Sequence, residues 1–143
     1  MAISQTPLVR QAEALFQRHT SPRRKLLDLL LTRESHFSAE EIARAMPEVG
    51  RATVYRTIAH LVESGILCRV LLDGGGLHYQ PAPQRHHHHL MCIRCNRVAD
   101  VESCEVSGFA DRIARSNGFS PLTHRLEVYG LCPTCCQGES IPQ

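Results

Sequence analysis

Four cysteines in two pairs carry the clearest chemical signal of the sequence. Cys92 and Cys95 are separated by two residues, and so are Cys132 and Cys135. Four thiolates from two such C-x2-C motifs match the closed tetrahedral coordination of a structural Zn²⁺ ion. The 36 residues between the motifs leave room for a helix and strands, so we predict a zinc ion that fastens the ends of one small unit. Two disulfides or unrelated free thiols are the alternatives.

The cellular setting predicted from the sequence favours metal binding over disulfides. The chain has 143 residues and seven cysteines, an odd number that cannot be fully paired. Its first residues lack the apolar core of a signal peptide, and no run of 18 apolar residues suggests a membrane span. We therefore expect a cytoplasmic protein, since clustered cysteines in a reducing compartment more often bind metal than form disulfides.

A run of four histidines, residues 86–89, is the second candidate for metal chemistry. On an extended segment alternate side chains point to the same face. His87 and His89 would then serve one metal site, and His86 and His88 another. A solvated polar loop is the alternative. Residues elsewhere must complete the sites, and the candidate donors are His36, Cys68, His78, Gln80, Asp100, Glu102, Cys104, Glu105 and His124.

Enzymatic zinc chemistry has little support in the sequence. A catalytic zinc needs an open coordination position and usually a general base. Neither an H-E-x-x-H motif nor an H-x-E…P-C-x-x-C motif is present. We predict that the protein is not an enzyme. A zinc enzyme and a metal-storage or carrier protein remain as the alternatives from other classes.

The residues before the histidine run predict helices followed by a hairpin. Ser21-Pro22 is a helix start, Ser38 with Glu41 forms a capping box, and a further helix begins at Gly50. Two β-like runs, Ile66–Leu72 and Leu77–Gln80, are joined by the turn Asp-Gly-Gly-Gly. This order is typical of a winged helix-turn-helix.

The residues after the run predict a small α+β unit. The expected elements are two strands, a helix with Phe109 and Ile113 facing inward, and a last strand: Leu90–Cys92, Val98–Val101, Glu105–Asn117 and Thr123–Leu131. The prolines of Pro81-Ala82-Pro83 indicate a linker between the two halves.

Nucleic-acid binding follows from the winged-helix interpretation. The exposed face of the helix that begins near Gly50 would present arginine, threonine and tyrosine, which can contact guanine, thymine methyl groups or phosphates. Two further arginines at an earlier helix start could add phosphate contacts. A solvated helix face is the alternative. The candidate residues are Arg23, Arg24, Arg51, Thr53, Tyr55 and Arg56.

Several motifs together resemble the ferric uptake regulator family of bacterial metalloregulators, over about residues 20–136. They are His36-Phe37-Ser38-Ala39-Glu40, Ala52-Thr53-Val54-Tyr55-Arg56-Thr57, the histidine run with Leu90 and Cys92-Ile93-Arg94-Cys95, Asn117-Gly118-Phe119, His124, Tyr129-Gly130 and Cys132-Pro133-Thr134-Cys135.

The resemblance implies a homodimeric transcriptional repressor that binds a palindromic double-stranded DNA operator when its regulatory metal is bound. It implies an α+β fold with a winged helix-turn-helix DNA-binding domain over residues 1–80, a hinge with the histidine run over 81–89, and a small α/β domain over 90–143. That last domain would dimerise and hold the structural zinc.

The ligands of the regulatory metal depart from the family patterns. In iron-sensing members, the regulatory metal site resembles His36, His87 and His89 of this chain together with an acidic residue at position 80. This chain has Gln80 at that position. Some zinc-sensing members place Asp at position 68 and Cys at position 82, beside the same two histidines, where this chain has Cys68 and Ala82. Because a thiolate with imidazoles favours Zn²⁺ over Fe²⁺, we predict a zinc-sensing, Zur-like protein with a site of Cys68, His87, His89 and His36. His78 is the alternative to His36 as the fourth ligand. Fe²⁺ or Mn²⁺ sensing is the alternative.

A second regulatory site of the family resembles His86, His88 and His124 with a carboxylate at position 107, which is Ser107 here. We predict Glu105 as the replacement ligand, with Cys104 and Glu102 as alternatives. Peroxide-sensing members would use Asp100 with His36, His87 and His89. They also expect the acid that is missing at position 80.

Overall fold

Two structural units divide the chain in the computed structural model, which describes residues 7–83 and 85–137. The N-terminal unit comprises Met1–Gln84 and the C-terminal unit comprises Arg85–Gln143. Among the described residues, 17 buried apolar side chains lie in the first unit and two, Met91 and Cys92, in the second. The two units therefore differ greatly in how much hydrophobic core can stabilise them.

Four helices build the N-terminal unit: α1 (Pro7–Glu13), α2 (Ser21–Thr32), α3 (Ala39–Ala45) and α4 (Arg51–Glu63). Pro22 occupies the first turn of α2, where its missing N–H costs no hydrogen bond. The predicted capping box opens α3, because the Ser38 hydroxyl accepts from the Glu41 N–H at 3.1 Å and Glu41 accepts from the Ser38 N–H at 2.7 Å. A short 3-10 helix, Pro47–Val49, leads into α4.

The turn from α3 to α4 depends on Gly50, which has a φ of 80°. Glycine adopts this conformation without the steric penalty that a Cβ atom would add. The apolar faces of the helices then meet in one core. Its largest buried side chains include Leu26, Leu27 and Leu30 of α2, Ile42 of α3, and Val54, Ile58 and Leu61 of α4.

A β-hairpin follows the helices and forms the wing. Strands β1 (Leu67–Leu72) and β2 (Gly76–Pro81) pair antiparallel, with Cys68 opposite Gln80. A short bridge from Phe37 to Tyr79 ties β2 to the segment before α3. The order of helices and wing confirms the predicted winged helix-turn-helix.

The C-terminal unit is a three-stranded sheet with two helices. The central strand β3 (His88–Cys92) pairs antiparallel with β4 (Val98–Val101) and parallel with β5 (Glu127–Gly130). Helix α5 (Ser107–Ser116) connects β4 to β5, and the single turn α6 (Pro133–Cys136) follows β5. Helices and strands in both units confirm the α+β class.

Two expectations for this unit are wrong. The last strand is shorter than predicted, so His124 precedes β5 in an irregular segment. Phe109 and Ile113 of α5 do not face inward: they are 58% and 50% exposed. No helix in the described part of the chain is long and apolar enough to cross a bilayer.

Candidate metal centres and nucleic-acid interface

The four cysteines of the two C-x2-C motifs converge in the C-terminal unit. The ligand atoms of Cys92, Cys95, Cys132 and Cys135 all lie within 4.8 Å of one another. Cys95 Sγ and Cys132 Sγ are 3.7 Å apart. Zinc–sulfur bonds of about 2.3 Å in a tetrahedron place neighbouring sulfurs about 3.8 Å apart. The spacing therefore fits a tetrahedral zinc.

Local backbone geometry explains how each motif presents its thiols. The end of β3 supplies Cys92, and the turn after it closes through Asn96, whose N–H donates to the Cys92 carbonyl and whose φ is 59°. Asparagine tolerates this left-handed conformation better than most residues. Arg94 Nη1 then donates to the Cys135 carbonyl at 2.9 Å and connects the two motifs.

The cluster divides its protons unevenly among the thiols. Backbone N–H groups at Cys132 and Cys95 lower the pKa of Cys92 to about 6, and the backbone N–H of Cys135 lowers the pKa of Cys132. The hydrogen bond with Cys132 raises the pKa of Cys135 to about 12. Part of the cluster is thus ready to bind a metal as thiolate, and metal binding would displace the proton that Cys135 retains.

A second cluster gathers three imidazoles and a thiol. His86 Nε2 lies 3.2 Å from His88 Nε2 and 3.1 Å from His124 Nε2. Cys104 Sγ lies 3.1 Å from His124 Nε2. A tetrahedral zinc with Zn–N bonds of about 2.0–2.1 Å separates its nitrogens by about 3.3–3.4 Å. The donor set and its spacing fit a zinc ion.

The predicted fourth ligand of this second cluster needs a correction. Glu105 does not belong to the group of converging ligand atoms, and Cys104 takes its place. Glu105 is exposed on the bend before α5, whereas the neighbouring Cys104 is half-buried. Asp111 and Ser107, which lie one helical turn apart on α5, both line a 430 Å³ cavity at this cluster. Asp111 was not among the ligands predicted from the sequence. The i, i+4 spacing from Ser107 was the signal that could have identified it.

Burial lowers the pKa of His88, with smaller contributions from the surrounding histidines. The unfolded chain therefore binds a proton at His88 more readily than the folded chain. We expect stability to fall as the pH decreases below about 6.5, the usual histidine pKa. Urea unfolding of protein stripped of metal at this cluster by a weak chelator should show the decline. His88→Gln should reduce the slope, whereas His19→Gln, at an exposed site, should not. An unchanged slope in His88→Gln would contradict this explanation.

The other two histidines of the run are already oriented by partners. His89 Nδ1 lies 2.9 Å from Asp100 Oδ1, and His87 Nδ1 lies 2.9 Å from the Arg85 carbonyl oxygen. The two rings are 5.0 Å apart. Hydrogen bonds of this kind at Nδ1 leave Nε2 as the metal-binding nitrogen. Asp100, a candidate ligand in the sequence, instead contacts His89.

The remaining predicted ligands lie in the N-terminal unit. Cys68 on β1 is half-buried, and its Sγ–H donates to the Gln80 carbonyl at 3.7 Å across the hairpin. His36 and His78 pack edge to face, with ring centres 4.9 Å apart. The structure thus brings His36 together with His78 within this unit. The regulatory set of Cys68, His36, His87 and His89 stays a prediction.

The exposed face of α4 carries the predicted nucleic-acid contacts. Arg51, Tyr55 and Arg56 are exposed and Thr53 is half-buried. Arg56 Nη2 donates to the Thr53 hydroxyl at 3.4 Å. Arg51 and Tyr55 both contact Glu40 of α3. The sequence did not indicate this contact, because the partners lie 11 and 15 residues apart on two helices.

The two arginines of α2 are placed differently from each other. Arg24 is exposed and forms an ion pair with Glu13 at 3.3 Å. Arg23 is half-buried, lies 4.9 Å from the centre of the Phe16 ring, and donates from Nη1 to the Arg18 carbonyl. Arg24 is thus the more accessible of the two for a phosphate.

Comparisons with known proteins agree with this architecture. The model of the ferric uptake regulator family matches residues 16–129. A ferric uptake regulation protein of Neisseria meningitidis serogroup A is 36% identical over 121 residues, which cover 81% of this chain and 84% of that protein.

Two solved structures share the fold. A zinc-bound manganese uptake regulator has a TM-score of 0.60 and 31% identity, with 89% of this chain and 99% of that chain covered. A zinc uptake regulator complexed with zinc and DNA has a TM-score of 0.70, with 93% and 97% covered; its identity of 23% indicates a common fold. On the family match and the curated relative together, the chain belongs to the ferric uptake regulator family.

Proposed function

We propose that this chain is a metal-dependent transcriptional repressor that senses Zn²⁺, binds a palindromic DNA operator as a homodimer and controls metal-uptake genes. The observation that carries the proposal is the combination of an exposed cationic helix in a winged-helix unit with converging thiol and imidazole ligands in the same chain. Residues 1–80 would bind DNA, residues 81–89 would act as a hinge, and residues 90–143 would dimerise.

The choice of zinc depends on ligand chemistry. Thiolates and imidazoles bind Zn²⁺ well, whereas the Fe²⁺-sensing sites of the family combine imidazoles with a carboxylate ligand. The curated relative is named for ferric uptake, so iron remains the second candidate. For zinc, the proposal assigns Cys92, Cys95, Cys132 and Cys135 to the structural ion. It assigns Cys68, His36, His87 and His89 to the regulatory ion, and His86, His88, His124 and Cys104 to a second regulatory ion.

Dimerisation is supported by apolar surface in the C-terminal unit. On the sheet, Leu90 faces Val128 across β3 and β5, and the two side chains are 43% and 46% exposed. Phe109 and Ile113 of α5 add further exposed apolar area. Apolar side chains left exposed in this way are typical of a protein interface. A second copy of the chain is the partner that suits a palindromic operator, because a two-fold axis then relates both protein and DNA.

Metal would control DNA binding through differential affinity. If the regulatory ion binds more tightly to the arrangement in which both winged helices fit their half-sites, bound metal raises DNA affinity, and DNA raises metal affinity equally. The structural ion would not take part in this equilibrium, because its four cysteines leave no open position. The chain's own histidines and thiols supply the metal selectivity.

Fluorescence anisotropy with buffered metals tests the proposal. The operator is first selected from random duplexes, and its affinity is then measured against free Zn²⁺, Fe²⁺ and Mn²⁺. We expect Zn²⁺ to raise affinity by at least about tenfold, or about 1.4 kcal/mol, at lower free concentrations than the other ions. A duplex with one half-site should bind much more weakly. Failure to bind any duplex at any metal level would refute the repressor, and a stronger response to Fe²⁺ would favour iron sensing.

A further inference from the structure

A carboxylate from another helix lies on the face of α4 that we propose to meet DNA. Glu40, in the first turn of α3, accepts hydrogen bonds from Arg51 Nη1 at 2.9 Å and from the Tyr55 hydroxyl at 3.1 Å. Arg51 Nη2 forms an ion pair with the same carboxylate. The guanidinium lies 5.5 Å from the centre of the Tyr55 ring. One carboxylate therefore holds both side chains in a single cluster.

Fold stability does not account for this cluster. The Arg51 and Glu40 side chains are 65% and 39% exposed, and ion pairs in such positions contribute about 0–1 kcal/mol. The neighbouring Glu41 already completes the capping box of α3. A negative charge beside a surface that approaches phosphates also reduces affinity for DNA. The position of Glu40 therefore points to a role in orienting Arg51 and Tyr55 toward DNA.

The contacts with Glu40 determine what the two side chains can still offer to DNA. The carboxylate contacts both Nη atoms of Arg51. The pair of N–H groups that stays free for a bidentate contact therefore lies along the edge formed by Nε and one Nη. That edge matches the N7 and O6 acceptors of guanine. Tyr55 donates its single hydroxyl proton to Glu40. Toward DNA its oxygen is then an acceptor, which a phosphate repels and an amino group of adenine or cytosine attracts.

We propose that Glu40 is a specificity-determining positioning residue, which directs Arg51 and Tyr55 to base edges and away from phosphates. The bases would be a guanine next to an adenine or cytosine in the major groove. The inference rests on the proposed DNA-binding function and adds how the recognition helix distinguishes its operator from other duplexes.

Glu40→Gln in the zinc-loaded full-length protein tests the inference. Affinity is measured for the selected operator and for a scrambled duplex of equal length, over a range of salt concentrations. We expect tighter binding to the scrambled duplex and a salt slope steeper by about one, because the released Arg51 can contact phosphate. The ratio of operator to scrambled affinity should fall by about 10-fold, within the range for loss of one bidentate base contact.

A charge-matched variant separates positioning from simple electrostatics. Glu48→Gln removes the same charge from the short 3-10 helix before α4 and should strengthen binding to both duplexes equally. Tyr55→Phe should lower the affinity ratio in the wild-type background and much less in the Glu40→Gln background. Thermal unfolding of each variant verifies that the fold is intact.

Three results would overturn the inference alone. In the first, Glu40→Gln leaves the affinity ratio and the salt slope at their wild-type values. In the second, Glu40→Gln matches Glu48→Gln in every measurement. Equal weakening of both duplexes would also overturn it, since that indicates a structural role. Wild-type protein that binds no duplex at any metal level would refute the proposed function, and this inference with it.

Discussion

Cys92→Ser is expected to remove one zinc ion per chain and to unfold the C-terminal unit at neutral pH. Cys92 is 4% exposed and is one of two buried apolar residues of the unit among those described. With so little core, the unit would depend on the proposed zinc ion, because structural zinc ions contribute on the order of 10–16 kcal/mol. Serine is a poor zinc ligand because it lacks the soft thiolate. Metal analysis and far-ultraviolet circular dichroism would measure both effects.

The N-terminal unit should remain folded in this variant, because its 17 described buried apolar residues form a core of their own. Hydrogen exchange should therefore show protected α2 and α4 and unprotected β3–β5. Cys136→Ser is the matched control: its Sγ–H donates to the Leu131 carbonyl and lies outside the four-thiol group. It should keep its zinc. Full zinc content and an unchanged unfolding curve in Cys92→Ser would refute the structural assignment.

Cys68→Ser is expected to raise the free Zn²⁺ needed for half-maximal operator binding by about 100-fold, or about 2.8 kcal/mol. Serine keeps the size of the side chain and can donate to the Gln80 carbonyl as the thiol does, so the wing should stay folded. What serine removes is the thiolate, the proposed ligand that would distinguish this site from iron-sensing sets. The measurement is operator anisotropy at buffered free zinc.

Affinity for the operator at saturating zinc should change little in Cys68→Ser, because the variant weakens metal binding and leaves the surface of α4 intact. Cys136→Ser again provides a cysteine control with an expected wild-type curve. A zinc curve for Cys68→Ser that coincides with the wild type would remove Cys68 from the regulatory site. A zinc response that persists while the response to Fe²⁺ changes would favour iron sensing.

Much of the fold could be read from local signals in the sequence. Three features depend only on residues close together in the chain: the capping box at Ser38 and Glu41, the start of α4 after Gly50, and the glycine-rich turn of the wing. They can therefore be predicted without knowledge of distant neighbours. The last strand was overestimated because alternation alone does not say where hydrogen-bonding partners end. β5 pairs with β3 over four residues, and His124 lies before that pairing begins.

The candidate sites likewise combine groups that the sequence alone predicts with contacts that depend on the tertiary structure. By itself, the sequence determined the winged-helix layout, the grouping of the four cysteines in two C-x2-C motifs and the two alternating pairs of histidines, because spacing along the chain sets these groups. Only the tertiary structure decided that Cys104 and not Glu105 joins His86, His88 and His124, that Asp100 orients His89, and that Glu40 holds Arg51 and Tyr55. Each of these contacts joins residues at least 11 positions apart, and chain folding rather than local periodicity sets the distance between them.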